Sequence, residues 1–163
     1  MKRLPAPVIA CLSAAALLAG CGEGGAEEGA RLKVYLSVPL GGGEAERGRE
    51  ICAEARQEAS RAGEPGGFEL RVVCLDAAGP EGRWTLAQVG ANARRATEDS
   101  TTVAYLAEPA RAARRQSLPI VEAAGIAELG GVSGKQAVAR VAAAIEESDS
   151  SDPRQAVFDA VEG

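Results

Sequence analysis

The feature that most constrains the fold of this chain is a regular alternation of apolar strand-like and amphipathic helical segments after Arg31. Runs rich in Val, Leu and Tyr predict strands, and the segments between them carry small or apolar residues every three to four positions, as one face of a helix does. The predicted order is strand 32–38, helix 44–62, strand 68–75, helix 84–98, strand 101–106 and helix 110–124. A strand–helix unit that repeats about every 30 residues is typical of βαβ crossovers on a parallel sheet. We therefore predict an α/β fold, with a doubly wound, mostly parallel sheet and helices on both of its faces.

The part of the chain after the third predicted strand contains a proline and two further helices. Pro119 falls inside the helix at 110–124, where we expect it to kink the helix or delay its regular part, because proline has no N–H to donate. A short strand at 126–129 is followed by helices at 135–147 and 153–161. We accordingly divide the folded part into a lobe at 31–129 and C-terminal helices at 130–163.

The N-terminal segment has the pattern of an export signal. Two cations precede an uncharged apolar stretch from Leu4 to Gly20, which is short for a membrane span and suits a signal peptide. Leu18-Ala19-Gly20-Cys21 resembles the lipobox of bacterial lipoproteins, whose cysteine is lipidated and becomes the first residue after cleavage. We expect a signal peptide at 1–20, a lipid on Cys21, and a flexible Gly- and Glu-rich tether at 21–30. The alternative is an ordinary signal that is cleaved nearby, with Cys21 incidental.

With a lipid on Cys21, we expect the protein to be held at the extracytoplasmic face of the cell membrane. Removal of residues 1–20 leaves 16 basic against 23 acidic residues, a net charge near −7. Nucleic acid as a partner is not expected, because its recognition needs clustered cations.

The absence of histidine argues against catalysis. Histidine is the commonest general base and metal ligand, and the chain has none. The sequence also offers no nucleophile–base pair and no metal-ligand cluster, so we expect a protein that is not an enzyme and that has no cofactor and no metal.

Two cysteines remain in the predicted mature domain, Cys52 in the first helix and Cys74 in the second strand. An extracytoplasmic compartment allows a disulfide to form and persist. If the helix packs on the strand face that carries Cys74, the two sulfurs come within bridging reach, whereas a Cα separation above about 7 Å excludes the bond. The alternative is two buried free thiols that act as small apolar side chains.

The candidate ligand site lies beyond the carboxyl ends of the strands, where open α/β sheets bind ligands. Leu40, Gly41 and Gly42 lead into a helix N-terminus, whose free amides suit a carboxylate or another anion. Asp76 follows the second strand and Glu108 the third, and either acid is a candidate to meet the ammonium group of a ligand. The alternative is that the glycines form a tight turn and that both acids are solvated or cap helices.

Several segments follow one another in the order and spacing of a known family. They are VYLSVPLGG at 34–42, a long helix that ends in a glycine turn, FELRVVCLDAAG at 68–79, VGANARRATEDSTTVAYLAE at 89–108 and QSLPIVEAAGI at 116–126. Over roughly 60% of the chain they resemble the first, flavodoxin-like lobe of type I periplasmic binding proteins, the branched-chain amino-acid-binding type that serves ABC transporters. Some members carry a disulfide in the first lobe near the positions of Cys52 and Cys74, which favours that bond here.

The resemblance implies an extracytoplasmic solute-binding lipoprotein of an ABC-type importer, with an amino-acid-like small molecule as ligand and an ABC permease as partner. The family closes two lobes on its ligand, whereas this chain resembles a form truncated to the first lobe and the C-terminal helices. Family loops after the first and third strands usually carry hydroxyl side chains, and residues 40–43 and 107–111 have none. The alternative function is therefore a membrane-tethered single lobe that has lost ligand binding and is a partner-binding or non-functional remnant.

Overall fold

Strands and helices alternate through residues 30–162, the part of the chain that the computed structural model describes. The strands are β1 (Arg31–Val38), β2 (Glu69–Asp76), β3 (Thr102–Leu106) and β4 (Ala127–Glu128). The helices are α1 (Ala45–Ala62), α2 (Leu86–Thr97), α3 (Arg111–Glu122), α4 (Gly134–Glu146) and α5 (Pro153–Glu162), with short 3-10 turns at Gly42–Glu44 and Pro65–Gly67. The predicted signal peptide and Cys21 lie outside the described residues, as does the predicted tether except Ala30.

The four strands form one sheet in the order β2-β1-β3-β4, and every pairing is parallel. In the register of the central pair, Tyr35 of β1 lies opposite Tyr105 of β3. On the other side of β1, Leu36 lies opposite Cys74 of β2. Because the chain places β2 on one side of β1 and β3 on the other, the winding direction reverses between β1 and β3.

The sheet separates two apolar cores, since successive side chains of a strand point to opposite faces. Helices α1, α4 and α5 cover one face, and α2 and α3 cover the other. The first core contains Leu32, Val34, Leu36, Ala55, Ala59, Val138, Val141, Ile145 and Val157. The second contains Tyr35, Tyr105, Ile126, Ala93, Ala96 and Val121. The predicted doubly wound α/β fold is thus confirmed, with a sheet that is parallel throughout the described part.

Helix α3 continues through Pro119 instead of being interrupted by it. Proline removes one N–H and so one backbone hydrogen bond of the helix. Ala113, Ser117 and Val121 bury one stripe of α3, and this helix packs against α2. Tertiary packing of that stripe outweighs the single lost bond, so the expected delay of the regular helix was wrong. The alternative expectation, a kink at Pro119, stays a prediction.

Cys52 and Cys74 are joined by a disulfide between α1 and β2, with their Cα atoms 6.2 Å apart. Helix α1 packs on the face of β2 that carries Cys74, which is the arrangement that the predicted disulfide requires. The bond ties the first crossover helix to the outer strand of the sheet.

The C-terminal helices share the first core with the strands. Val138 and Val141 of α4 and Val157 of α5 are completely buried there. The division of the chain after residue 129 stays a prediction about its organisation. Among residues 30–162, no helix combines the length and the apolar character needed to cross a membrane.

Candidate functional site

The point between β1 and β3 is a crevice at the carboxyl edge of the sheet. The chain leaves β1 toward α1 on one face and leaves β3 toward α3 on the other. The two loops therefore diverge, and the space between them is where open α/β sheets bind ligands.

Glu108 follows β3 in this crevice and is only 8% exposed. In the described part of the chain its carboxylate accepts no hydrogen bond and forms no ion pair. Burial raises the pKa of Glu108, the nearby Arg47 guanidinium acts in the opposite direction, and the negative charge of Glu44 adds to the rise. The residue is largely buried, but its carboxylate oxygens keep contact with the crevice, so a cationic group that enters there can pair with them.

Glu44 and Arg47 reach the same crevice from the start of α1. Glu44 directly precedes the helix, and its Oε2 atom is buried without a hydrogen-bond partner among residues 30–162. Arg47 lies three residues later and is exposed. Residues three apart share one face of a helix, so both charged groups project on the same side of α1.

Glu44, Arg47 and Glu108 line one small cleft together with Pro39, Gly48 and Ile51. Its volume of about 10 Å³ is close to that of one water-sized group, which an ammonium also is. A Cβ atom at Gly48 would run into the carbonyl of Pro39, so the backbone of α1 lies directly against the end of β1. This close approach holds the charged face of α1 beside the β3 loop.

A larger cleft of about 450 Å³ adjoins the small one, and Arg47 and Ile51 line both. It lies between α1, the end of β3 and the loop that enters α4. Its floor is apolar and is formed by Val38, Ile51, Leu106 and Val132. The size is within the range of small-molecule sites.

Leu40, Gly41, Gly42 and Asp76 have structural contacts in the described protein and line neither cleft. Asp76 Oδ1 accepts hydrogen bonds from the backbone N–H groups of Leu40 and Ala78, each at 2.8 Å. The backbones of Gly42 and Gly82 touch, and both residues have positive φ angles, which glycine adopts without strain. These residues join the loops after β1 and β2, and their predicted contact with a ligand stays a prediction.

Asn92 of α2 is a buried polar residue that the sequence analysis missed. Its Nδ2 donates to Ser37 Oγ at 2.9 Å and to the Asp76 carbonyl at 3.0 Å, which fixes α2 to the ends of β1 and β2. The available signal was an amide on the otherwise apolar stripe of a predicted helix. The sequence analysis likewise missed Glu44 and Arg47, although their helical spacing was visible.

A third cleft, of about 680 Å³, lies on the other side of Glu44. The loop after β2 supplies most of its lining, including Arg83 and the half-buried Trp84. Helix α2 begins beside it, where Thr85 Oγ1 accepts a hydrogen bond from the N–H of Gln88 at 3.2 Å. Glu44 thus lies between the cleft lined by Trp84 and the crevice that contains Glu108.

Metal binding has no support from the geometry. The Asp, Glu and Cys side chains of residues 30–162 form no group of three or more that could hold an ion.

Solved structures similar to this chain include one from Thermotoga maritima and one from Rhodopirellula baltica, while no protein-family model and no curated protein matches. A leucine-binding protein, LivK, of Thermotoga maritima is 26% identical, with a TM-score of 0.48 over 60% of this chain and 26% of that one. A Rhodopirellula baltica protein described as a possible leucine/isoleucine/valine-binding protein is 21% identical, with a TM-score of 0.47 and the same coverage. The chain spans about a quarter of the length of each.

Proposed function

We propose that this protein is a solute-binding domain of an importer and that its ligand is an amino-acid-like zwitterion held between β1 and β3. The observation that carries the proposal is the nearly buried, unpartnered carboxylate of Glu108 beside the exposed guanidinium of Arg47. The ordered series of motifs that resembles branched-chain amino-acid-binding proteins supports the same class of ligand.

The charges of the crevice match both ends of an amino acid. Glu108 and Glu44 receive the ammonium group, and the guanidinium fork of Arg47 receives the carboxylate. Pairing gives the Glu108 carboxylate a direct partner in addition to the nearby charge of Arg47, so binding also stabilises the fold. No bond is made or broken in this role, which is binding and not catalysis.

The proposed setting is the extracytoplasmic face of the membrane, with a lipid on Cys21 and an ABC permease as the partner that takes up the solute. The lipobox-like motif at 18–21 supports the anchor. The disulfide between Cys52 and Cys74 supports an oxidising compartment, where such bonds persist.

A second candidate function is a membrane-tethered single lobe that no longer binds a ligand. It is favoured by the absence of hydroxyl side chains at 40–43 and 107–111, and by a crevice that only one lobe of the described residues encloses. Such a domain instead contacts a partner protein or has no remaining role.

Ligand screening separates the two candidates. The full-length chain is purified in detergent and its thermal unfolding is followed with each common amino acid. Under the first proposal at least one amino acid raises the Tm, and the rise keeps growing with the logarithm of its concentration. At 100 times its Kd the gain in unfolding free energy is roughly 2.7 kcal/mol. Glu108→Gln and Arg47→Gln each remove the effect. The exposed neighbours Glu46 and Arg49 supply matched controls, and Glu46→Gln and Arg49→Gln retain it. If no amino acid stabilises the protein, the ligand-binding proposal is wrong and the single lobe without a ligand remains.

The anchor is tested separately. Mass spectrometry of the membrane fraction should find an N-terminal peptide that begins with a diacylglyceryl-modified Cys21. Cys21→Ala should move the protein out of that fraction. An unmodified Cys21 would contradict this part of the proposal and leave the ligand question untouched.

A further inference from the structure

The wall of the larger cleft carries two additional carboxylates. Glu50 and Glu54 lie on successive turns of α1, both are exposed, and both line the cleft. Within residues 30–162 neither forms an ion pair, and Arg47 supplies the only positive side chain of the lining. Since residues four apart on a helix are neighbours, the negative charges of Glu50 and Glu54 repel each other.

The floor beside these carboxylates is apolar. Val38, Leu106 and Val132 form it with Ile51, and the small cleft lined by Glu108 shares Arg47 and Ile51 with the larger one. Counted from Arg47, Glu50 is three residues and Glu54 seven residues along α1, a rise of about 4.5 and 10.5 Å. An extended chain of methylene groups fits such a floor, with its charged end left at the solvent-facing wall.

We propose that the crevice selects amino acids with a second positive charge, an ammonium or guanidinium on the side chain, which lies beside Glu50 and Glu54. The inference rests on the proposed function, because Glu108 and Arg47 must hold the amino-acid end for the side chain to extend along α1. The unpartnered carboxylate of Glu108 and the buried Oε2 of Glu44 mark the start of the site independently of the acidic wall.

Matched ligand pairs test the second charge. Calorimetric titration of the full-length chain in detergent compares lysine with norleucine, which lacks only the terminal amino group, and arginine with citrulline. We expect the charged member of each pair to bind about tenfold more tightly, as two exposed charge pairs allow. The preference should shrink as NaCl is raised, because salt screens exposed charges.

Variants assign the preference to residues. The double variant Glu50→Gln/Glu54→Gln should bring the lysine-to-norleucine ratio down to about twofold or less while the affinity for norleucine stays within about twofold. Glu147→Gln, at the exposed C-terminal end of α4 and outside the lining of the cleft, should leave the ratio unchanged. Equal or tighter binding of norleucine and leucine by the natural protein overturns this inference and leaves the proposed function standing. Absence of binding by every amino acid overturns both.

Discussion

The guanidinium Nε of Arg114 lies 3.6 Å from Oε1 of Glu128, a residue with no exposed surface on the edge strand β4. The Arg114 side chain reaches this position by crossing Gly130, where a Cβ atom would lie 2.7 Å from the same Nε. Neither carboxylate oxygen of Glu128 accepts a hydrogen bond within residues 30–162. Burial raises the pKa of Glu128 to about 7, although the nearby Ser117 hydroxyl and then the positive charge of Arg114 act against the rise.

The first prediction is that Glu128 makes the protein less stable as the pH rises. Its pKa in the folded state exceeds the ordinary value of 4.5, so the folded protein binds the proton more tightly than the unfolded chain does. The loss of unfolding free energy that ionised Glu128 causes is absent below about pH 4.5 and grows up to about pH 7. Above that pH it is constant, at roughly 1–3 kcal/mol. Glu128→Gln should remove this part of the pH dependence in urea unfolding. Asp149→Asn, at an exposed position, is the charge-matched control and should retain it.

The second prediction concerns Asp99, which joins β1 to the turn before β3. Burial alone would raise the pKa of Asp99, but hydrogen bonds from Lys33, Thr101 and Tyr35 hold it below its usual value. Asp99 therefore contributes stability above about pH 4 that is lost as the pH falls through its lowered pKa. Asp99→Asn should cost about 1–3 kcal/mol at neutral pH. Urea unfolding at neutral and acidic pH measures this, and an equal cost at both would contradict the charge-based explanation.

The third prediction concerns the disulfide between Cys52 and Cys74, which closes a separation of 22 residues. A loop of that size restricts the unfolded chain by roughly 3 kcal/mol in the loop-entropy description. Reduction should lower the urea midpoint of the natural protein accordingly. The variant Cys52→Ala/Cys74→Ala should start at the lower midpoint and show no response to reductant. A response in that variant would mean that another group is being reduced.

The fourth prediction uses two glycines near the crevice. Gly48→Ala places a methyl group against the carbonyl of Pro39 and should destabilise the protein by about 1–3 kcal/mol, although alanine is the better helix former. The change also moves α1 away from β1, so ligand binding should weaken. Gly43→Ala is the control, because its Cβ meets no atom within 4 Å and its φ angle is not positive. Thermal unfolding of both variants checks the difference.

Much of the fold could be predicted from local patterns. Small or apolar residues every three to four positions predicted α1, whose buried face holds Ala55 and Ala59, and the apolar run at 101–106 predicted β3, which is buried throughout. Pro119 was the exception, because the packing of α3 on α2 outweighs one missing hydrogen bond.

The candidate site was predicted only in part. Glu108 was named from its place after a strand, and it lies in the crevice. Asp76 was named for the same reason, yet its Oδ1 is used by the backbone of Leu40 and Ala78. The position after a strand predicts the edge of the sheet on which a side chain lies. It does not say whether neighbouring loops occupy that side chain's hydrogen-bonding atoms.

The sequence by itself determined the order of strands and helices, the apolar face of each, and the pair of cysteines that those faces bring together. These properties follow from the periodicity of each segment, which is a local feature. Only the tertiary structure decided that Glu44 and Arg47 meet Glu108 and that Arg114 reaches Glu128. The proximity of these residues depends on the strand order and on how closely α1 and α3 approach the sheet. No single segment encodes either property.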